Sequence, residues 1–464
     1  MQRMTGLDAG FLHMETRTLH MHTLKIAIVD PSTVPGGYTF AKVKDVLGAR
    51  LHLLPPFRRR VVPVPLNLHH PVWIEDPDFH LDGHLRRIGC PAPGGMDELA
   101  EVISDIAGRP LDRARPLWEL WVVENLEGGN VAFVAKIHHA LADGVAAAAM
   151  LMNVLETDPD AGPPPAVEWR GEPVPSRVVL VLDALRDWVR GILDLPSLLA
   201  RTAAGLRRMR RARRESDVAT PLPFGGPKVR FNTSLTPNRR YVMTSLSLDD
   251  VKRVKDGFGV TINDVVLAAC GGGLRRYLER HDLLPDRSLI AGVPVALAEH
   301  GERLEGNRVS NLFTTLRTDL ADPVERLVSI HDVTAQAKVV HQALGAETLA
   351  DWSDMTPAGP FALFMRFYSR AALAGHHRPP INCVVSNVPG PREPLYVAGA
   401  RLLAIYSMGP ILEGIGLNVT VWSYLDAVNF GIVACPEHVP DLWDLCADIR
   451  DELDALTKAA AGRA

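Results

Sequence analysis

The run Thr157–Arg177, TDPDAGPPPAVEWRGEPVPSR, carries six prolines in twenty-one residues. Proline removes a backbone donor and clashes with the preceding turn, so neither a helix interior nor a central strand can cross this stretch. The chain is thereby cut into parts that must each bury a core, and the patterning on the two sides agrees. On the N-terminal side, Leu24–Asp30 (LKIAIVD) reads as a buried strand, followed by a Pro/Gly turn and an amphipathic helix over Tyr38–Leu54. Val131–His139 (VAFVAKIHH) reads as a second strand and Val145–Leu155 (VAAAAMLMNVL) as a helix, which makes 140–144 a strand-to-helix turn. On the C-terminal side, helices are expected at Ser247–Lys255, Asn263–Arg280, Pro323–Leu344 and Val439–Lys458. Strand-like runs at Ser288–Leu297, Val309–Leu316, Ile381–Ser386, Ile415–Leu425 and Ala427–Ala434 alternate with them. The expected fold class is α/β with mixed sheets, in two lobes spanning 1–160 and 230–464. Residues 161–229 form the connection, and 464 residues at roughly 150 per domain leave room for both lobes.

Composition narrows the function. Hydrophobic residues make up 47% and charged residues 22%, which excludes a disordered or coiled-coil chain. A net charge of -4 gives no global field for nucleic acid. The five cysteines, Cys90, Cys270, Cys383, Cys435 and Cys446, are odd in number and lack a CxxC pair, so neither a disulfide framework nor a thiolate metal site is expected. The start, MQRMTGLD, lacks a basic segment followed by an apolar one, and no run reaches about 18 uncharged apolar residues. A cytoplasmic chain with reduced thiols is the expectation.

The sharpest local signal is His138-His139-Ala140-Leu141-Ala142-Asp143-Gly144. The chain contains two further histidine pairs, His69-His70 and His376-His377, and neither is followed by Asp-Gly at the same spacing. From the Asp and Gly content that suffix would follow a random pair roughly once in 200 times. Adjacent side chains at a strand end point to opposite faces, so one histidine can face a cavity while the other faces the interior. A neutral imidazole suits removal of a proton from an alcohol attacking a carbonyl. Asp143 can hold a tautomer, pair with an arginine or cap the helix at Val145, and Gly144 permits the tight turn. The competing structural explanation is a surface turn with two incidental histidines. No metal is expected, since His138 and His139 diverge and no third ligand has recognisable spacing. There is also no GxSxG elbow and no cysteine in a nucleophile context.

HHALADG matches the HHxxxDG motif of the CoA-dependent acyltransferase superfamily. Within it, Leu7-Asp8-Ala9-Gly10-Phe11-Leu12 with Glu15 and His20-Met21-His22 resembles the N-terminal signature of the bacterial wax ester synthase/diacylglycerol acyltransferase family. Pro110-Leu111-Asp112-Arg113 followed by Pro116-Leu117-Trp118 resembles its PLW region, Asn263-Asp264 in TINDVVLA its ND motif, and Ser386-Asn387-Val388-Pro389-Gly390-Pro391 its SNVPGP segment. The resemblance implies two similar lobes with an active-site tunnel between them. It also implies transfer of a long acyl chain from acyl-CoA, the only cosubstrate, to diacylglycerol or a fatty alcohol, with no further cofactor. His139 would be the general base, His138 its supporter, and transfer would be direct, without an acyl-enzyme.

The other motifs each admit two explanations. Pro116-Leu117-Trp118 is a turn with a buried tryptophan or a wall of the acyl channel. Asn263 and Asp264 cap a helix, or Asn263 stabilises the thioester oxyanion or orients His139. Ser386 and Asn387 end a strand before a turn or line an inter-lobe channel. Val178–Arg214 reads as an amphipathic helix with arginines at 201, 207, 208, 210, 211, 213 and 214. It serves either as a solvated crossover or as a dock for an anionic membrane or lipid droplet. Nucleic acid is disfavoured, because no aromatics interleave with the arginines. Acylation of a non-glyceride alcohol, or a non-catalytic lipid-droplet coat, are the competing functions.

Overall fold

A computed structural model describes residues 1–161, 164, 165, 167, 169–296, 306, 307, 309–345 and 348–462. The chain begins with β1 (Gln2–Arg3), α1 (Gly6–Met14), β2 (His22–Asp30), α2 (Phe40–Arg50), β3 (Arg59–Val62) and β4 (Val72–Glu75). It continues through β5 (Leu85–Gly89), α3 (Met96–Gly108), β6 (Trp118–Glu124), β7 (Val131–His138) and α4 (Gly144–Met152). A long α5 (Arg177–Arg214) leads to β8 (Arg240–Ser247), α6 (Leu248–Phe258), α7 (Ile262–Arg280), β9 (Ile290–Ala296) and β10 (Val309–Thr315). Then follow α8 (Pro323–Leu344), α9 (Thr348–Asp354), α10 (Ala358–Arg370), β11 (Cys383–Val388), β12 (Tyr396–Val397), β13 (Ala400–Met408), β14 (Leu417–Tyr424), β15 (Ala427–Ala434) and α11 (Leu442–Ala461).

Most expected elements are present, and the differences at their ends have local causes. Helix α2 starts at Phe40 because the Thr39 side chain accepts from the Lys42 amide, and it tightens to a 3-10 turn at Leu51–Leu53 ahead of Pro55-Pro56. The last helix starts at Leu442 rather than Val439, since Pro440 drives the residue before it out of the helical region. Of the expected strand Ser288–Leu297, Leu297 lies outside the described residues.

The strands form two six-stranded mixed sheets, ordered β12-β13-β2-β7-β6-β5 and β10-β9-β11-β14-β15-β8, with a small third sheet β1-β4-β3. In the first, β5 and β6 run parallel while β13, β2, β7 and β6 alternate in direction. Two of its strands come from the far end of the chain. Strand β13 pairs antiparallel with β2, from Arg401 opposite Asp30 to Met408 opposite Leu24, so the sheet of the first lobe is not built from the first 160 residues alone. Sequence alternation does not mark β13, because a bulge between Leu402 and Ala404 resets its register.

Helix α3 covers one face of the first sheet, burying Leu99, Ile103 and Ile106 with Leu24, Ile26 and Val134. Helices α7 and α11 cover the second, burying Leu274, Ile449 and Leu453 with Val419 and Phe430. The lobes also touch directly: the Tyr241 amide at the start of β8 donates to Ser104 Oγ on α3 at 2.8 Å.

Candidate active site

The turn that follows β7 separates its two histidines. The His138 amide donates to the Leu117 carbonyl at 2.9 Å and the His139 amide to the Met21 carbonyl at 2.7 Å, so both neighbouring strands pin the backbone here. Side-chain alternation along β7 then sends His138 inward, fully buried, and leaves His139 half-buried on the face that carries Phe133, Ala135 and Ile137.

His138 sits against Glu15, its Nε2 3.8 Å from the carboxylate, and Arg113 donates to the same carboxylate through Nε at 2.9 Å. Burial pushes the Glu15 carboxyl up, but the His138 imidazole and the Arg113 guanidinium outweigh it and hold the group at about 2. The Ala140 amide donates to His138 Nδ1 at 3.0 Å, which places the His138 proton on Nε2, facing Glu15.

His139 belongs to a different network. Its Nδ1 lies 3.0 Å from Asn307 Oδ1, and its ring tilts against Phe11 of α1 with centroids 4.4 Å apart. Asn307 Nδ2 donates to Asp8 Oδ1 at 2.6 Å and to the His139 carbonyl at 2.7 Å, while the Asn307 amide donates to Asp8 Oδ1 at 3.0 Å. Burial pushes the His139 imidazole down to about 4, which keeps it neutral near pH 7. Asp8 is itself fixed at the start of α1, where its amide donates to Thr5 Oγ1. Asn307 stands just before β10 of the second sheet, so the site is assembled across the two lobes.

Asp143 is buried and begins α4: its Oδ1 accepts from the Ala146 amide at 2.9 Å and its carbonyl from the Ala147 amide. Its charge also reaches Lys25, whose amine burial pulls down to about 8 while Asp143 pulls it back up. Lys25 donates to Ser407 Oγ at 2.7 Å and lies 4.8 Å over the Trp422 ring. An apolar cavity of about 90 Å³ opens between this part of the sheet and helices α2 and α4, with Phe57, Trp118, Ile137, Met150 and Leu151 in its wall and Lys25 at its edge.

Trp118 is a buried residue of that wall. Its Nε1 donates to the Phe57 carbonyl at 2.7 Å, and its ring stacks on Phe57 and His84, with Leu117 buried beside it and Pro116 accepting from its amide. Ser386 and Asn387 lie within β11, not past its end, and pair with Thr420 and Val421 of β14. The following Pro389-Gly390-Pro391 faces α4: Ala148, Leu151 and Met152 share a cavity of about 300 Å³ with it, and Val388 lies close to Gly144. Asn263 and Asp264 open α7. Asp264 and Thr261 cap the helix reciprocally, and Asp264 Oδ2 also lies 2.8 Å from His331 Nδ1. The amide that meets the His139 ring is that of Asn307, on another segment.

Two family models cover most of the chain: the wax ester synthase/diacylglycerol acyltransferase catalytic domain matches residues 4–266 and the WS/DGAT C-terminal domain residues 305–457. The chain belongs to the wax ester synthase/diacylglycerol acyltransferase family. This acyltransferase is 41% identical over 475 residues to a Mycobacterium tuberculosis H37Rv protein named as a candidate diacylglycerol O-acyltransferase, with 100% of this chain and 98% of that one covered. The wax ester synthase/diacylglycerol acyltransferase of Marinobacter aquaeolei VT8 superposes with a TM-score of 0.71 at 28% identity, covering 99% of this chain and 100% of that one. The starter condensation domain of rhizomide synthetase, solved with C8-CoA and Leu-SNAC, shares the fold with a TM-score of 0.58 at 11% identity, covering 99% and 94%.

The sequence of this acyltransferase marks His138, His139 and Asp143 and leaves Trp118 open between a turn and a channel wall, but it does not mark Asn307, which contacts His139. Asp8, Glu15 and Arg113 were visible only as members of a signature. Asn307 lies 168 residues from His139, in a stretch whose polar residues carry no distinctive spacing.

Proposed function

We propose that this chain transfers the acyl group of an acyl-CoA directly to a lipid alcohol, diacylglycerol or a fatty alcohol, with His139 as the general base. The observation that carries this reading is a neutral, half-buried imidazole held at the lobe junction on the face of β7 that borders an apolar cavity. His139 takes the hydroxyl proton as the alcohol oxygen attacks the thioester carbonyl. Collapse of the tetrahedral adduct expels the CoA thiolate, which takes the proton back from the imidazolium. A protein nucleophile is not required. All five cysteines are buried, and burial pushes the Cys383 thiol up to about 12, far from the thiolate that acyl capture needs. The reaction uses acyl-CoA as cosubstrate and no cofactor, and Trp118 and Leu151 shape the cavity for the acyl chain.

The test is an acceptor screen with palmitoyl-CoA, scoring thiol release against lipid product for diacylglycerol, hexadecanol and a water-soluble sugar alcohol. Thiol release coupled to triacylglycerol or wax ester, and lost in His139→Ala, is the expected result. Coupling to the sugar alcohol alone would overturn the lipid acceptor.

Peripheral contact with an anionic lipid surface belongs to the same proposal. Among the described residues no single helix is long and apolar enough to cross a bilayer. Helix α5, however, leaves a stripe at helical spacing exposed, including Val178, Leu182, Leu185, Val189 and Ile192. Its last turns expose Arg207, Arg208, Arg210 and Arg211, each contributing about 1 kcal/mol near an anionic surface. Flotation with phosphatidylglycerol vesicles at low salt is expected to weaken when these four arginines become Gln, and equal flotation would remove the cluster from the account.

A further inference from the structure

The Asn307 amide can be oriented in one way only. Its Nδ2 faces two accepting oxygens, Asp8 Oδ1 at 2.6 Å, which also takes the Asn307 backbone amide, and the His139 carbonyl at 2.7 Å. Turning the amide over would set its oxygen against both, leaving two buried repulsive contacts in place of two hydrogen bonds. With Nδ2 so fixed, Oδ1 is what meets His139 Nδ1 at 3.0 Å, and a carbonyl oxygen accepts, so Nδ1 must carry the proton.

Resting on the reading of His139 as the base, we propose that Asp8 and Asn307 are a positioning pair that locks His139 in its Nδ1–H tautomer and so presents the Nε2 lone pair to the acceptor alcohol. Neither residue touches the reacting atoms. Asp8 orients the amide, and the amide orients and protonates the ring at the nitrogen that does no chemistry. The interposed amide has a second consequence. A carboxylate directly on Nδ1 would stabilise the imidazolium, whereas a neutral amide holds the same tautomer and lets burial keep the ring basic but uncharged. The pair also spans the lobes, since Asp8 lies on α1 and Asn307 precedes β10. The base is therefore set only when the lobes are docked.

Nitrogen-detected NMR on protein labelled at the histidine nitrogens, with His139→Ala identifying the signal, reads the tautomer directly. Kinetics of palmitoyl-CoA turnover read the consequence. The wild type is expected to show Nδ1–H at His139. Asn307→Leu is expected to lose that signature and about 10- to 100-fold in kcat with KM little changed, the usual span for an outer partner. Asn307→Asp keeps an acceptor on Nδ1 but sets its second oxygen against the Asp8 carboxylate and the His139 carbonyl. It should keep the Nδ1–H signature while lowering the melting temperature and moving the acid limb of kcat/KM upward by about one unit, because a carboxylate now touches the ring. An Nε2–H tautomer in the wild type overturns the inference whether or not any variant folds. So does Asn307→Leu with wild-type kcat, or Asn307→Asp with an unmoved acid limb. Full activity of His139→Ala would instead remove His139 as the base and leave the tautomer measurement standing.

Discussion

His138-His139 and His376-His377 are the same dipeptide in two settings. At the second pair, His377 Nδ1 lies 2.7 Å from the Arg378 carbonyl and Nε2 2.6 Å from the Tyr368 hydroxyl, so both ring nitrogens are engaged, while His376 Nδ1 turns to the Ala372 carbonyl of its own segment. A third pair, His69-His70, folds on itself, the His70 amide donating to His69 Nδ1 at 2.8 Å. At the first pair a strand end splits the residues between two networks. His138 is held as Nε2–H against Glu15, and His139 is gripped at Nδ1 by Asn307. Adjacency alone therefore says little about chemistry; what matters is which nitrogen the surroundings occupy.

The largest expected effect breaks this contrast outright. His139→Ala should lower kcat by roughly 100- to 10,000-fold with the melting temperature retained, and His377→Ala should leave kcat within about two-fold. Steady-state turnover of palmitoyl-CoA beside thermal unfolding checks both, and comparable losses in the two variants would abolish the distinction. His138→Ala should cost less activity, about 10-fold, and visibly lower the melting temperature, because it leaves buried Glu15 facing a void. Asp143→Asn removes the charge opposite Lys25 at the start of α4. It should reduce turnover several-fold together with about 2 °C of melting temperature. An unchanged melting temperature with abolished activity would place Asp143 in the chemistry itself.

The smallest effect on turnover concerns pH. Burial lowers His13, His20, His69 and His139 to about 4. In the unfolded chain these groups take protons near 6.5, whereas the folded chain resists until about pH 4, so the unfolded state binds more protons in between. Stability should be flat above pH 6.5 and decline as pH falls from 6.5 toward 4. Over the same range kcat/KM should hold nearly constant and drop only as His139 is protonated near 4. A kcat/KM profile with its acid limb at 6.5 would show that His139 is not buried in the working enzyme.

Much of this was legible along the chain. Strand β7, the turn 140–144 and helix α4 follow from β-branched residues, a glycine and a run of alanines, whose preferences act over a few residues. The same holds for the Thr261 and Asp264 cap of α7, where a local signal favoured capping and the structure has it. The role of Pro116-Leu117-Trp118 was readable only as a choice, because a buried tryptophan declares its size but not its neighbours. Strand β13 escaped, since a strand inserted between β12 and β2 is selected by its partners, which for β2 lie far away in the chain, Arg401 opposite Asp30 and Met408 opposite Leu24.

The sequence by itself determined the local pieces: where the chain breaks at its prolines, which residues bring an imidazole to a strand end, and which helix begins behind it. Tertiary structure decided which nitrogen of His139 meets Asn307. That outcome depends on Asp8, His139 and Asn307 meeting from three distant segments. A hydrogen bond is a matter of ångströms between partners rather than of spacing in a chain, and no local preference of any of the three residues encodes the other two.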